Sequence, residues 1–265
     1  MVSSLKIKVE EREGKSFLRD AYVTQPFRIT PVGQYKSDGA AYLMITSTSP
    51  GILSGDVYEI DVTIEKNARL QLQSQSYQRL FNMEGSASQT MVVNMGKSSS
   101  FSYVPHPVVP HEDSNFKSVN TITIADDCEL TISEIITCGR KHYGETFQYA
   151  HFQNLLEVYH HDRLILKDNV LLKPELMPLH SLGLLEGFTH QGTLTYLNTK
   201  NENVTELVEH FYKELENLTD VTYGISEIQT DGFVIRILGN GGEQMFNFFK
   251  KVEESLWEKA VAISN

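Results

Sequence analysis

The sequence predicts an all-β chain folded as one domain, with two α-helices toward its C-terminus. Three observations carry that prediction. Apolar and polar residues alternate with period two in segment after segment, the pattern of strands that bury one face. The joins between these segments are short and rich in glycine, proline, aspartate and asparagine, the residues that turns require. Helical spacing of apolar residues appears only beyond residue 200. No linker or low-complexity tract divides the 265 residues, so residues 1–265 form a single predicted domain. No repeat length stands out.

Taken in order, "LKIKVE" puts Leu5, Ile7 and Val9 on one face. An apolar run from Ala41 to Ile45 is the next strand. "DVYEIDVTIE" then sets Tyr58, Ile60, Val62 and Ile64 opposite Glu59, Asp61, Thr63 and Glu65. Between these two lies "SPGILSGD", residues 49–56, with more turn chemistry than a two-residue hairpin needs. Gly51 and Gly55 let the backbone turn tightly and pass close to neighbours. Asp56 either caps its own turn or faces an interior. "ARLQLQSQSY" continues the alternation, and further β-rich runs lie at 90–95, 118–124, 128–138, 146–159, 164–172 and 192–198. His160, His161 and Asp162 in "VYHHDRLIL" form the polar tip of a hairpin and are not assigned as ligands. Asp231-Gly232 marks a second hairpin. In "NVTELVEHFYKELENL", Val204, Leu207, Val208, Phe211, Leu215 and Leu218 fall at helical spacing, with Asn203 as cap and Glu206 as its box partner. A last helix carries a stripe of Met245, Phe249, Val252, Leu256 and Ala260. Phe246, Phe248, Phe249 and Trp257 lie on more than one of its faces, more aromatic area than one buried stripe requires, so this helix is predicted to offer partner surface.

Composition excludes several functions. The net charge is −11 and the isoelectric point about 5.3. Nucleic-acid binding needs the opposite sign; proteins or cations are the expected partners. No apolar run approaches membrane-spanning length, and no apolar segment follows a basic stretch near the N-terminus as in a signal peptide. Cys128 and Cys138 share "CELTISEIITC", where a straight strand holds them ~33 Å apart, beyond disulfide reach. Two reduced, buried cysteines fit a cytoplasmic location.

Known catalytic patterns are missing. "GILSGD" is neither a G-x-S-x-G elbow nor a P-loop. There is no H-E-x-x-H, C-x-x-C or dinucleotide fingerprint. In "YVPHPVVPHEDSNF", His106 and His111 either decorate a rigid proline loop or meet a borderline metal with Glu112 or Asp113. Glu134 shares strand parity with Cys128, Leu130, Ile132 and Ile136, which puts a carboxylate on an apolar face. Such a group must find a partner or take up a proton, and structural pairing is the default. Arg140 has the same parity but lies ~20 Å further along a straight strand. The acids Glu59, Asp61 and Glu65 are most simply a solvated strand face. Paired acids on an all-β frame also suit a carbohydrate-active enzyme, although the single tryptophan, Trp257, leaves little indole for stacking on sugars.

Seven segments, in their order and spacing, resemble one family. "SPGILSGD", "LQLQSQSYQRLFNMEGSASQ", "YVPHPVVPHEDSNF", "SEIITCGRKHYGETF", "LEVYHHDRLILKDNVLL", "GFTHQGTLTY" and "GFVIRILG" are similar to the urease accessory proteins UreD, also called UreH. The resemblance spans residues 5 to 260. It departs at Ile52-Leu53-Ser54, where the family carries further glycines. The resemblance implies a β-helix-like stack with two helices and no enzymatic turnover. It implies a complex with UreF and the GTPase UreG that docks on apo-urease and delivers nickel, with no tightly bound cofactor. GTP then belongs to UreG, which accounts for the missing P-loop. It also implies a tunnel for nickel; our candidates for transit ligands are Asp56, Glu59, Asp61, His106 and His111, and for tunnel residues Gly51, Gly55, Glu134, Arg140 and Glu145. Carboxylates would release nickel, where a cysteine-histidine cage would trap it. UreF is the expected partner of the last helix.

Overall fold

The computed structural model describes residues 2–200, 203–228 and 231–263. The chain opens with an antiparallel pair, β1 (Val2–Arg12) and β2 (Lys15–Val23), followed by a second pair, β3 (Phe27–Pro31) and β4 (Ala41–Ser47). A coil then repeats. β5 (Val57–Ile64) turns into β6 (Arg69–Ser74) and returns through β7 (Gln78–Leu80). β8 (Ala87–Met95) turns into β9 (Ser100–Tyr103) and returns through β10 (Val108–Pro110). β11 (Asn115–Ile124) turns into β12 (Glu129–Ile136). The first strands of the three coils pair in parallel in a seven-stranded sheet, and the second strands pair in parallel in a ten-stranded sheet. The β-helix-like stack expected from the resemblance is therefore present.

β13 (His151–His160) adds in parallel to β11, but β14 (Arg163–Leu172) folds back antiparallel and ends that sheet. β15 (His190–Asn198) pairs antiparallel with β12 and continues the other sheet. After α1 (Thr205–Leu215), the hairpin of β16 (Thr222–Ile228) and β17 (Gly232–Gly239) completes it, and α2 (Gly242–Ile263) follows. The strand expected at 146–159 begins only at His151. Residues 146–150 belong to the return from β12, whose other strand lies in the opposite sheet.

A repeat does exist. Asn67, Ser98 and Asp127 all have left-handed φ, at 62°, 59° and 60°. They occupy equivalent corners of successive coils, and their turns stack. The Asn67 N–H donates to the Lys97 carbonyl (3.0 Å), and the Ser98 N–H to the Asp126 carbonyl (2.9 Å). What recurs is a backbone conformation, which three different polar residues supply, so no residue pattern betrays it. The returns stack as well: Ile52 bridges in parallel to Leu80, which pairs with Pro110. The glycine-rich stretch 49–56 is the first of these returns. It carries the chain from β4 in one sheet to β5 in the other, which no hairpin turn could do.

Two apolar layers hold the molecule. One fills the space between the sheets and includes Leu5, Val62, Leu70, Phe101, Phe116 and Phe152. The other lies between the ten-stranded sheet and the helices, and includes Phe211, Phe233, Ile235, Met245 and Phe249. The cap position of α1 falls on Val204 and not on Asn203; Asn203, one residue earlier, accepts at Oδ1 from the Thr205 N–H (2.8 Å). Met245, Phe249, Val252 and Leu256 are buried as their spacing predicts. The expectation that the aromatic residues of α2 form partner surface is corrected. Phe248, Phe249 and Trp257 are buried, and Phe246 is packed against the same layer. A second flank of α2 meets the β4 region, where Trp257 Nε1 donates to Tyr42 OH (2.9 Å) and Asp38 Oδ2 (3.1 Å). Arg69 lies 4.8 Å from its ring centre. No helix among the described residues is long and apolar enough to cross a membrane.

Candidate functional site: a polar cavity between the sheets

The apolar interior gives way to polar residues where the strands of the seven-stranded sheet begin. The inward positions of β11 run Phe116, Ser118, Asn120, Ile122 and Ile124, all buried. In register, Ser118 lies between Gln89 of β8 and Asn154 of β13. Asn120 lies between Met91 and Leu156, with Asp168 of β14 next beyond Leu156. On the opposing face, β12 presents Glu134 beside Thr193 of β15. The polar residues among these, with Gln78, Tyr103 and His106, line a cavity of about 90 Å³. One water needs ~10–15 Å³ of such space, so the cavity has room for several.

A second cavity of about 130 Å³ lies beside it, walled by Ser49, Pro50, Gly51 and Ile52 of the first return and by Ser74 and Tyr77. Gln78, Gln89, Tyr103, Pro105 and His106 belong to the walls of both.

Glu134 is the unusual group here. Its Oε2 is sealed from solvent and has no hydrogen-bond partner among the described residues. Burial pushes its carboxyl up to about 8, and the nearby Asp168 carboxylate pushes the same way. The group therefore resolves its choice by keeping a proton, where the sequence favoured an ion pair. Asp168 is itself held by Arg236 at 2.7 Å, a contact that ties the two sheets together. His106 stands where the cavities meet. Its Nδ1 is 2.9 Å from Ser74 Oγ, and its ring stacks on Phe246 with centroids 4.2 Å apart. Burial holds it below the ordinary imidazole range, against the pull of Glu243. A neutral imidazole, the form that ligates borderline metals, thus faces the junction.

His111 does not join it. It is buried under Phe81, with ring centroids 4.8 Å apart. Burial, and after it the Arg140 guanidinium, hold it below the usual range. Arg140 and Glu145 form a bidentate pair that pins the return from β12, with Nε to Oε2 at 2.8 Å. The two histidines lie on either flank of β10 and do not converge on a common ion.

Asp56, Glu59 and Asp61 line neither cavity. Asp56 Oδ2 accepts from the Leu53 N–H at 2.9 Å and so caps its own turn. Asp61 pairs with Lys6 (3.1 Å), and Glu59 accepts from Ser4 Oγ (3.3 Å) across the outer face. Strand parity decides this, because Tyr58 and Ile60 take the inward positions. Gly51 is irreplaceable in space: a Cβ there would overlap the Arg79 carbonyl oxygen and come within 2.8 Å of Phe81 Cε2. Gly55 serves by its φ of 80°. The sugar-cleaving alternative loses its one indole, Trp257, to burial.

Ser118, Asn120, Asn154 and Gln89 escaped attention in the sequence. The signal was present in "FKSVNTITI", where two polar residues occupy apolar parity, the test that singled out Glu134.

Comparison with known proteins agrees along the whole chain. Residues 2–263 match the family model described as UreD urease accessory protein. A protein named urease accessory protein UreD from Flavobacterium johnsoniae is 50% identical over 257 residues, covering 97% of this chain and 93% of that protein. Proteins of the same name from Acetivibrio thermocellus and Haemophilus influenzae are 32% identical over 256 residues and 33% over 250. They cover 96% and 90% of this chain, and 97% and 92% of their own lengths.

Proposed function

The chain belongs to the UreD urease accessory protein family, and on that premise we propose that it serves urease maturation as a nickel-delivery scaffold without turnover of its own. It works in the cytoplasm, joins UreF and the GTPase UreG, docks on apo-urease and gives nickel a sheltered path. Nickel is cargo here, not a resident cofactor. The observation that supports this is the polar cavity between two otherwise apolar sheets, with Glu134 inside it, its Oε2 unpartnered among the described residues, and His106 at its junction. A stability-only interior would fill those positions with apolar side chains.

The chemistry suits passage better than storage. Glu134 is protonated when the cavity is empty, and the Asp168 carboxylate on the same wall is already paired with Arg236, so no unpaired charge waits there for a passing cation. An arriving divalent ion favours the carboxylate and expels the proton; the returning proton helps the ion leave. Asn120, Asn154, Ser118 and Thr193 offer only neutral oxygens, which bind a borderline ion weakly. Deleting the gene should leave urease protein abundant but inactive and nickel-free. Normal urease activity in the deletion strain at ordinary nickel levels would overturn the proposal.

A further inference from the structure

A separate group of metal-ligating side chains lies at the column of stacked turns. Asp126 sits in the turn between β11 and β12, and His160 and His161 sit at the tip of the β13–β14 hairpin. Parallel pairing of β11 with β13 sets Ile124 beside His160 and so brings the three together. His160 Nε2 lies 3.0 Å, and His161 Nε2 2.6 Å, from the same oxygen, Asp126 Oδ1. The imidazole centroids are 4.2 Å apart, and one ligand atom from each residue lies within 4.8 Å of the others. His161 and Asp162 both have left-handed φ, at 47° and 60°. Asparagine or glycine ordinarily fills such a two-residue turn; here a histidine does, with its ring on Asp126.

We infer that Asp126, His160 and His161 form a binding site for one borderline divalent transition-metal ion. Two imidazole nitrogens and a carboxylate oxygen are a donor set that such ions take. Ligands held at right angles about 2.1 Å from an ion stand about 3.0 Å apart. The two distances to Asp126 Oδ1 are nearer that spacing than the roughly 3.4 Å at which a tetrahedral ion spreads its ligands. The side chains of His161 and Asp126 are 65% and 50% exposed, which leaves the opposite face of the ion open to water. The ion replaces the hydrogen bonds now shared on Asp126 Oδ1 and ties the β13–β14 hairpin to the column of turns. Its ligands must be deprotonated, so binding weakens on acidification. The site shares no residue with either cavity, and the inference stands whether or not nickel passes between the sheets.

The test is titration of Ni²⁺ into the full-length protein, following binding heat and thermal midpoint, with His161→Asn, Asp126→Asn and His106→Ala beside the wild type. Asparagine tolerates the left-handed turn at 161, and circular dichroism checks that each variant is folded. The wild type should bind one ion at this site and melt higher with it. His161→Asn and Asp126→Asn should each weaken binding by at least ~10-fold, a loss that even outer-shell changes bring, and should abolish the rise in midpoint. His106→Ala, which alters the cavity junction, reports on any ion held there and should leave the ion at Asp126, with its rise in midpoint, in place. No binding by the wild type, unchanged binding in the first two variants, or a loss confined to His106→Ala would each overturn the inference.

Discussion

Replacing Glu134 by glutamine should stabilise the protein, and increasingly so as the pH rises. The carboxyl goes from 4.5 in the unfolded chain to about 8 in the folded one. Between those values the native state holds a proton that the unfolded state has released, so stability falls as the pH climbs and levels off only above the folded pKa. At about 1.4 kcal/mol for each pKa unit, this one group costs the wild type about 2.5 kcal/mol between pH 6 and 8.5. Glutamine has the same shape and no such dependence. For a chain of this length that difference corresponds to roughly 5–10 °C in Tm. Urea unfolding of both proteins from pH 5.5 to 9 reads it directly, since the other titrating groups cancel in the difference. A difference that stays flat with pH, or a glutamine variant less stable than wild type at pH 8.5, would refute the reasoning.

Three further outcomes follow from particular contacts. Gly51→Ala forces a methyl against the Arg79 carbonyl and the Phe81 ring; the overpacking should cost about 1–3 kcal/mol in urea unfolding and slow urease activation through the second cavity. Trp257→Phe removes two hydrogen bonds and the contact with Arg69, a loss of about 1–3 kcal/mol that unfolding followed by far-ultraviolet circular dichroism will show. Asp61→Asn breaks a half-exposed pair with Lys6 on the outer face; it should change stability by under ~1 kcal/mol and leave activation at the native rate, contrary to a conduit role.

Much of the strand content was legible because one-sided burial writes period two into the chain, as in residues 57–64. Lys15–Val23 was not, because most of that strand is exposed on both faces and burial leaves no alternation to read. The solenoid repeat was hidden for a different reason: its corners need a left-handed residue, and asparagine, serine and aspartate each comply. Glu134 was found by its parity alone. That it would keep a proton instead of pairing could not be, since the residues facing it across the sheets are set by register, which no single strand encodes. The acids Glu59 and Asp61 misled because their parity, opposite to that of Tyr58 and Ile60, puts them on the outer face, and Asp56 closes its own turn on Leu53. Trp257 looked like spare surface because its contacts, Asp38 and Tyr42, lie some two hundred positions away in sequence.

The central claim is that nickel passes through the joined cavities, and Gln89 is the place to test it, because this residue belongs to the walls of both. Gln89→Trp should fill the junction, and Gln89→Ala should widen it. The measurement is the rate of nickel-dependent activation of apo-urease by the complex of each variant with UreF and UreG, at equal complex concentration. The alanine variant should activate near the native rate, while the tryptophan variant should assemble the complex and fail to activate. A tryptophan variant that is folded, assembled and as fast as wild type would contradict the account.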